Sequence, residues 1–204
     1  MGVSLLRSSP RIARGGIIRL PFFLLAAFGL VLIAQGAVIP AKAWLAQILL
    51  DRAFEHSRAR HRPVRAWPWA DSVPVARIRV PRLGVEEIVL SGGSGEALAF
   101  GPTLLPGGGR LGERGTAVLA GHRDTHFHFL GEVRPGDVVL VERTDGRTLR
   151  YRAGSGRVVR KDRFGIDRHA IGSRLALVTC WPIGGSGRGP LRYVLDAELD
   201  PARG

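Results

Sequence analysis

The sequence contains a single cysteine, Cys180, among its 204 residues. One cysteine excludes an intramolecular disulfide, so the packing of a core must hold the fold together. A lone cysteine is most often a small buried apolar residue. It acts as a nucleophile only where a base and a cation can reach the thiol. Both interpretations of Cys180 are open from this residue alone.

Acidic residues are also scarce, since 17 Asp and Glu stand against 30 Lys and Arg, for a net charge of +13. The excess is uneven, because residues 1–65 hold 10 basic and 2 acidic residues. Elsewhere the basic residues are scattered, without the run of cations and interleaved aromatics that a nucleic-acid groove needs. We therefore expect no nucleic-acid partner. The basic N-terminal third is more typical of a segment that flanks a membrane.

Charge is absent from Leu20 to Ala41, a run of 22 residues between Arg19 and Lys42. A helix of this length spans a hydrocarbon core of roughly 30 Å. A cleaved signal peptide is the competing interpretation, because Ala41-Lys42-Ala43 has an A-x-A form, but apolar regions of signal peptides run only about 7–15 residues. The sequence therefore predicts an uncleaved signal-anchor that crosses the membrane once.

Basic residues flank both ends of this segment. Arg7, Arg11, Arg14 and Arg19 precede it, and residues 1–19 contain no acidic residue. This bias favours an N-terminus on the cytoplasmic side, although basic residues after the segment weaken it. We predict the chain in the inner membrane, with the part after the anchor facing the periplasm.

Helical spacing continues after the anchor. Trp44, Leu45, Ile48 and Leu49 repeat at an interval that predicts an amphipathic helix over residues 42–56. The proline-broken basic stretch that follows is typical of a linker. The predicted organisation is a cytoplasmic tail, a transmembrane helix, an amphipathic helix with linker, and a β-domain, over residues 1–19, 20–41, 42–72 and 73–204.

From Val75 onward the pattern changes to short β-type runs separated by glycine and proline. We predict eight strands, over residues 75–80, 87–90, 115–121, 137–143, 147–153, 155–161, 174–180 and 191–199. Asp145-Gly146 marks the clearest hairpin turn. Eight short strands with little helix between them predict an all-β closed barrel or sandwich.

Reactive side chains concentrate in "LAGHRDTHFHFL", Leu119 to Leu130, which supplies His122, Asp124, His126 and His128. A thiol nucleophile needs a histidine within reach and a donor aimed at the oxyanion of the tetrahedral intermediate. In "LALVTC", Cys180 shares a strand face with the small residues Ala176 and Val178. Cys180 and the histidine segment are therefore candidates for one site.

The glycine-rich loop after Cys180 bears on the choice of cation. Residues 181–191 are long and flexible enough to bring the next strand back alongside Cys180. Arg192, at the start of that strand, can then lie beside the thiol. Arg188 falls inside the loop, where we expect it to be solvated.

These residues carry a resemblance to a known family. The combination of "GHRDT", a strand ending in "LVTC", and an arginine twelve residues after that cysteine resembles the sortases. The likeness extends to the signal-anchor, "AFGPTLLPGG" and "GPLRYV", and covers most of residues 73–199. "IPAKAWLAQILL" resembles the membrane-proximal segment of the proteobacterial, Gram-negative branch.

The resemblance implies a fold, a reaction and residue roles. Sortases are membrane-anchored cysteine transpeptidases built on an eight-stranded β-barrel with short helices. By position, Cys180 resembles the nucleophile, His122 the general acid/base and Arg192 the oxyanion-stabilising cation, with Thr179 and Asp124 as supporting residues. The implied substrate is a protein with an LPxTG-like sorting signal, cleaved through a thioester acyl-enzyme and transferred to an amine acceptor that the sequence does not identify.

Two departures from the sortase pattern accompany the match. Trp181-Pro182-Ile183 stands where related sequences often have Tyr-Pro-Phe, and Thr103-Leu104 where they often have a histidine. Neither departure affects the three candidate catalytic positions.

Two alternatives for the candidate residues were weighed. A His-x-His pair can ligate zinc, but the sequence offers no second ligand cluster, so we expect neither a metal nor another cofactor. The alternative function is a non-catalytic, membrane-tethered β-domain that binds a partner peptide at a sheet edge.

Overall fold

The structure, a computed structural model, describes residues 19–185, 187 and 189–200. The chain divides into two compact units, residues 1–44 and 45–204. A long helix, α1, runs from Arg19 to Arg60 and contains Pro40. It is long and apolar enough to cross a membrane, since its most apolar 18-residue window has a mean hydropathy of 2.4 and none of that window is buried. This helix is the candidate anchor.

The part of α1 that belongs to the second unit packs against the β-domain. Its buried face is formed by Ala46, Leu50, Ala53 and Phe54, at the spacing of one helix stripe. Leu50 and Phe54 join a cluster with apolar side chains of the linker and of the β-domain: Ala66, Trp67, Ile88, Leu90, Ala97 and Phe100. The helix ends four residues beyond the predicted residue 56. Its buried face also differs from the predicted one, because Leu45 is exposed.

An ion network adds to this packing. The Arg77 guanidinium lies 4.5 Å from the Phe54 ring and pairs with Asp51, Glu55 and Glu86. Burial alone would lower the pKa of Arg77, but the hydrogen bond that Arg77 donates to Asp51 and the charges of the carboxylates outweigh it and raise that pKa. Arg77 therefore stays a cation while largely enclosed.

Eight strands close into a barrel, which confirms the predicted all-β fold. They are β1 Pro74–Val80, β2 Val85–Ser91, β3 Thr103–Leu104, β4 Gly115–Ala120, β5 Val138–Arg143, β6 Thr148–Arg160, β7 Ser173–Cys180 and β8 Leu191–Leu199. Their order around the barrel is β1-β2-β3-β4-β7-β8-β6-β5. Three short helical segments accompany them, a 3₁₀ helix at Pro81–Leu83, α2 at Gly95–Phe100 and a 3₁₀ helix at His128–Gly131.

Two predicted strand assignments differ from the structure. The runs 147–153 and 155–161 form the single strand β6, which has an irregularity in its pairing with β8 between Ala153 and Gly156. A bulge of this kind absorbs extra residues without ending the strand. The eighth strand is instead β3, which the prediction missed because two residues are too few to show an alternating pattern.

Alternation along the strands separates the barrel interior from its outer face. Inward side chains form the main core around Tyr151, Phe127 and Phe129, to which β7 contributes Leu175 and Leu177. Ala176 and Val178 of the same strand lie in a second cluster with Val118 and Val194. Cys180 continues this outer row, because strand residues two apart share a face.

Candidate active site

Cys180 ends strand β7 and is half-buried, with a free thiol. The preceding residue, Thr179, faces the other way and is buried. Its hydroxyl donates a hydrogen bond of 2.7 Å to the Gly121 carbonyl oxygen. Thr179 thus joins the strand that carries the thiol to the segment that carries His122.

Arg192 lies directly across from Cys180. Strands β7 and β8 are antiparallel, and Cys180 and Arg192 are Cα partners in their register. The half-buried Arg192 donates from Nη1 to the carbonyl oxygens of Gly189, at 2.9 Å, and Leu191, at 2.8 Å. Within the described part of the chain its Nε and Nη2 groups donate no hydrogen bond. The expectation that Arg188 is solvated concerns a residue outside the described ones.

His122 approaches from the opposite side of β7. Strand β4 runs parallel to β7, with Ala120 paired to Val178, and the Gly121 N–H donates to the Val178 carbonyl oxygen at 3.1 Å. His122 comes two residues after the last paired residue of β4, on the side of β7 opposite to Arg192. His122 is exposed. Cys180 is the last residue of β7, Arg192 lies near the start of the neighbouring strand β8, and His122 follows the end of β4, the neighbour of β7 on its other side. All three candidate catalytic residues are therefore at one end of the barrel.

A glycine precedes His122 for a steric reason. A Cβ atom at Gly121 would lie 2.8 Å from ring carbons of Phe127, closer than real side chains allow. The Phe127 N–H donates to the His122 carbonyl oxygen at 2.9 Å, and the Phe127 ring is fully buried in the core. The turn that carries His122 is thus closed upon itself and anchored by an aromatic side chain.

The other two histidines of this segment have partners of their own. His126 Nδ1 lies 2.7 Å from a carboxylate oxygen of Glu87 on β2, and both side chains are largely buried. His128 Nδ1 lies 2.5 Å from the Thr125 carbonyl oxygen. Over residues 19–185, 187 and 189–200, no three His, Cys, Asp or Glu side chains converge as metal ligands would.

Asp124, the second supporting candidate, is exposed and lies beside an arginine that the sequence analysis did not assign. Its carboxylate accepts a hydrogen bond of 3.1 Å from Arg123 Nε. Arg123 is only 7% exposed and also reaches the loop after Cys180. The motif "GHRDT" contains Arg123, but two of the three acceptors of Arg123 are backbone carbonyl oxygens far away in the sequence, which leave no local pattern.

The aromatic residues next to the thiol form one wall of this end of the barrel. Trp181 follows Cys180, and its ring stacks on Tyr193 with centroids 5.8 Å apart and planes 20° apart. Burial raises the pKa of the Tyr193 hydroxyl. On the other side of Tyr193, a Cβ at Gly156 would fall 1.8 Å from the hydroxyl oxygen, so glycine makes room for the ring.

An apolar cavity of about 210 Å³ adjoins the row of side chains that ends in Cys180. Val178 of β7, Val118 of β4 and Leu105 form its floor, and the loop between β6 and β7 covers it with Phe164, Gly165, Ile166 and Arg168. Val178 is two residues from Cys180 on the same face, a separation of about 7 Å along a strand.

Comparison with known proteins decides the family. A model of the sortase domain matches residues 78–200. The chain belongs to the sortase family. Sortase D of Bacillus subtilis (strain 168) is 29% identical over 120 residues, which cover 58% of this chain and 60% of that protein. The chain thus spans less than two thirds of that sortase.

Solved sortase structures share the fold. Sortase C-1 from Actinomyces oris is 28% identical, with a TM-score of 0.56 over 63% of this chain and 75% of that one. A point mutant of sortase E from Streptomyces avermitilis is 30% identical, with a TM-score of 0.53 over 62% and 87%. Sortase A from Corynebacterium diphtheriae is 24% identical, with a TM-score of 0.58 over 66% and 65%; at that identity the match bears on the fold alone.

Proposed function

We propose that this sortase is a membrane-anchored cysteine transpeptidase in which Cys180 is the nucleophile, His122 the general acid/base and Arg192 the oxyanion donor. The observation that carries the proposal is the register of β4, β7 and β8. Arg192 is the Cα partner of Cys180, and the pairing of β4 with the other side of β7 ends two residues before His122. A half-exposed thiol between a histidine and a guanidinium has the surroundings of a reactive cysteine.

The proposed reaction has two steps. The Cys180 thiolate attacks the threonyl carbonyl carbon of an LPxTG-like signal, and the tetrahedral intermediate collapses to a thioester as the glycyl amine leaves with a proton from His122. An incoming amine then attacks the thioester, His122 takes its proton, and the Cys180 thiolate is released. The products are a new amide bond and a free enzyme.

Arg192 has hydrogen-bond capacity left for this chemistry. Its Nη1 group is occupied by two carbonyl oxygens of the loop, which fixes the guanidinium plane. The remaining N–H groups of the fork can donate to the oxyanion, and a donor held in place before the reaction stabilises developing charge without reorganisation. Thr179 and Asp124 are proposed to support the site, Thr179 through Gly121 and Asp124 beside His122.

The apolar cavity next to Val178 is the proposed binding place for the apolar residues of the signal. Five of its seven lining residues have aliphatic or aromatic side chains, and it lies about two strand residues from the thiol. An LPxTG-like motif puts its leucine three residues before the threonine, a spacing that an extended peptide covers in about 10 Å. The proposal names the acceptor only as an amine and the target only as a protein that carries such a signal.

The membrane part of the proposal rests on α1 and its basic flank. The helix is long and apolar enough to serve as the anchor, and the arginines before residue 20 favour the N-terminus inside, with the barrel in the periplasm of an inner membrane. Assignment to the proteobacterial type rests only on the likeness of "IPAKAWLAQILL". Fractionation of the full-length chain with membranes, with its N-terminal residues retained, supports an anchor, whereas a soluble chain beginning near residue 44 contradicts it.

The test of the proposed activity uses the full chain in detergent and a peptide that contains an LPxTG signal. We expect cleavage, a covalent peptide adduct on Cys180 in the mass spectrum, and loss of both in Cys180→Ala, with an unchanged circular dichroism spectrum. Appreciable turnover in Cys180→Ala refutes the proposal. A wild-type chain that binds the peptide but forms no adduct instead fits the alternative of a non-catalytic tethered β-domain.

A further inference from the structure

Arg123 is a buried cation in a chain whose arginines mostly face solvent. Only 7% of it is exposed, and a buried guanidinium is stable only when its donors are paired. Nε donates to Asp124 at 3.1 Å, Nη1 to the Pro182 carbonyl oxygen at 3.2 Å and Nη2 to the Gly187 carbonyl oxygen at 2.7 Å. All three nitrogens of the guanidinium group are therefore engaged.

These three bonds join the two segments that carry the candidate catalytic residues. Arg123 follows His122 directly, while Pro182 lies two residues after Cys180 and Gly187 is near the middle of the loop that leads to Arg192. The separations along the chain are 59 and 64 residues. One side chain therefore ties the backbone beside the histidine to the backbone beside the thiol.

The loop from Trp181 to Pro190 is rich in glycine, so contacts with other residues must restrict its conformation. It contains Gly184, Gly185, Gly187 and Gly189, and glycine allows more backbone conformations than any other residue. Arg192 holds only its last part, through the carbonyl oxygens of Gly189 and Leu191. Arg123 binds the carbonyl oxygens of Pro182 and Gly187, so each arginine contacts a different part of the loop.

We propose that Arg123 is a positioning residue that sets the distance and orientation of His122 relative to Cys180 by clamping the loop after β7 to the turn after β4. It does not touch the reacting atoms itself. The inference rests on the proposed function for its kinetic test, whereas the mobility of the loop can be tested without any activity.

The expected effect falls on the chemical step. A misplacement of about 1 Å between catalytic groups can lower the rate by about 10²-fold. Arg123→Ala should therefore lower kcat by about 10²-fold and change KM much less, because the apolar cavity does not include Arg123. Arg123→Lys should rescue little, since a single ammonium cannot occupy the positions of three separate guanidinium nitrogens.

Cys180 provides a second readout because it is the only thiol. The rate of its alkylation as a function of pH reports its thiolate directly. If the clamp holds His122 beside Cys180, Arg123→Ala should slow this alkylation, because the histidine that assists formation of the thiolate is no longer held in place. Amide hydrogen exchange over residues 181–190 should become faster in the same variant.

Arg82→Ala is the matched control. Arg82 also makes three hydrogen bonds that join separate segments, two to Asp137 and one to the Glu132 carbonyl oxygen, but it lies outside the candidate site. We expect it to lower stability while leaving kcat and the alkylation profile unchanged at temperatures where the variant is folded.

The outcomes separate clearly, with all measurements made on the full chain in detergent. Loss of kcat, slower alkylation of Cys180 and faster loop exchange in the Arg123 variants, but not in Arg82→Ala, support the clamp. A folded Arg123→Ala or Arg123→Lys that behaves as wild type, or an Arg82→Ala that behaves as Arg123→Ala, overturns it. If the wild type shows no turnover, the proposed function fails, and loop exchange and alkylation still decide on the clamp. If Arg123→Ala does not fold, Arg123→Lys carries the same comparison.

Discussion

Glu142 on β5 accepts contacts from three arginines, and replacing it by glutamine removes its charge while keeping its shape. Its side chain is 8% exposed, and its oxygens lie 2.9 Å from Arg79 Nη2, 3.5 Å from Arg77 Nη1 and in contact with Arg58. Glu86 offers the matched control, since it pairs with the same Arg77 at 3.0 Å but is 49% exposed. Glu142→Gln and Glu86→Gln therefore compare one chemical change at two degrees of burial.

The magnitude follows from this difference in burial. Removing one partner of a buried ion pair costs about 3–5 kcal/mol, whereas an exposed pair contributes about 0.2–1 kcal/mol. Arg58 and Arg79 are 43% and 38% exposed and can turn to water, and Arg77 keeps its other carboxylates. We therefore expect Glu142→Gln to lower the free energy of unfolding by about 2–3 kcal/mol and Glu86→Gln by less than about 1 kcal/mol.

Urea unfolding of the full chain in detergent, followed by tryptophan fluorescence and circular dichroism, measures both values. Urea is chosen because guanidinium salts screen charges. Raising the salt to about 1 M should abolish the small effect of Glu86→Gln and leave most of that of Glu142→Gln, since enclosed pairs are screened less. Equal destabilisation by the two variants, or a loss below about 0.5 kcal/mol in Glu142→Gln, refutes the reasoning.

Three further predictions concern the site and a surface turn. Arg192→Lys keeps the charge but loses the planar fork, so turnover of a sorting-signal peptide should fall by about 10²–10³; wild-type turnover contradicts this. Thr179→Val leaves the Gly121 carbonyl without its donor and should lower the free energy of unfolding by about 1–3 kcal/mol in urea. Hydrogen bonds from Arg82 and from the Arg134 N–H lower the pKa of Asp137 to about 2. Asp137 therefore stabilises the fold above about pH 4. The stability gap to Asp137→Asn should close as the pH falls toward 2, and a gap independent of pH contradicts the assignment.

Local patterns were sufficient for most of the barrel. Strands such as β7 alternate between core and outer face, and the hairpin at Asp145-Gly146 carries a turn signal that needs no tertiary information. β3 escaped because it is defined only by its pairing with β2 and β4. The division of β6 into two predicted strands was wrong because Gly154 interrupts the β-type pattern, whereas the pairing with β8 continues past it.

In the candidate site, too, local patterns predicted some residues, whereas others depend on contacts between distant parts of the chain. Cys180, His122 and Arg192 could be proposed from a motif and from the length of a loop, because each lies at a strand end. Arg123 could not be proposed from the sequence, since it binds backbone carbonyl oxygens, which every residue carries and which leave no pattern of side chains. The pairing of His126 with Glu87 escaped for a similar reason, because the two residues lie 39 positions apart.

The parallel pairing of β4 with β7 has a consequence for how the site is assembled during folding. Cys180 and Arg192 meet by closing a hairpin of twelve residues, but Gly121 meets Thr179 across 58 residues. The difference in chain entropy for closing these loops is about 1.4 kcal/mol, and contacts of long range slow the folding of small domains. In the order of contact formation, we therefore expect the thiol and its cation to come together before the histidine arrives. A chain stalled at that stage would carry an exposed thiol without its base, in the form most open to unwanted oxidation.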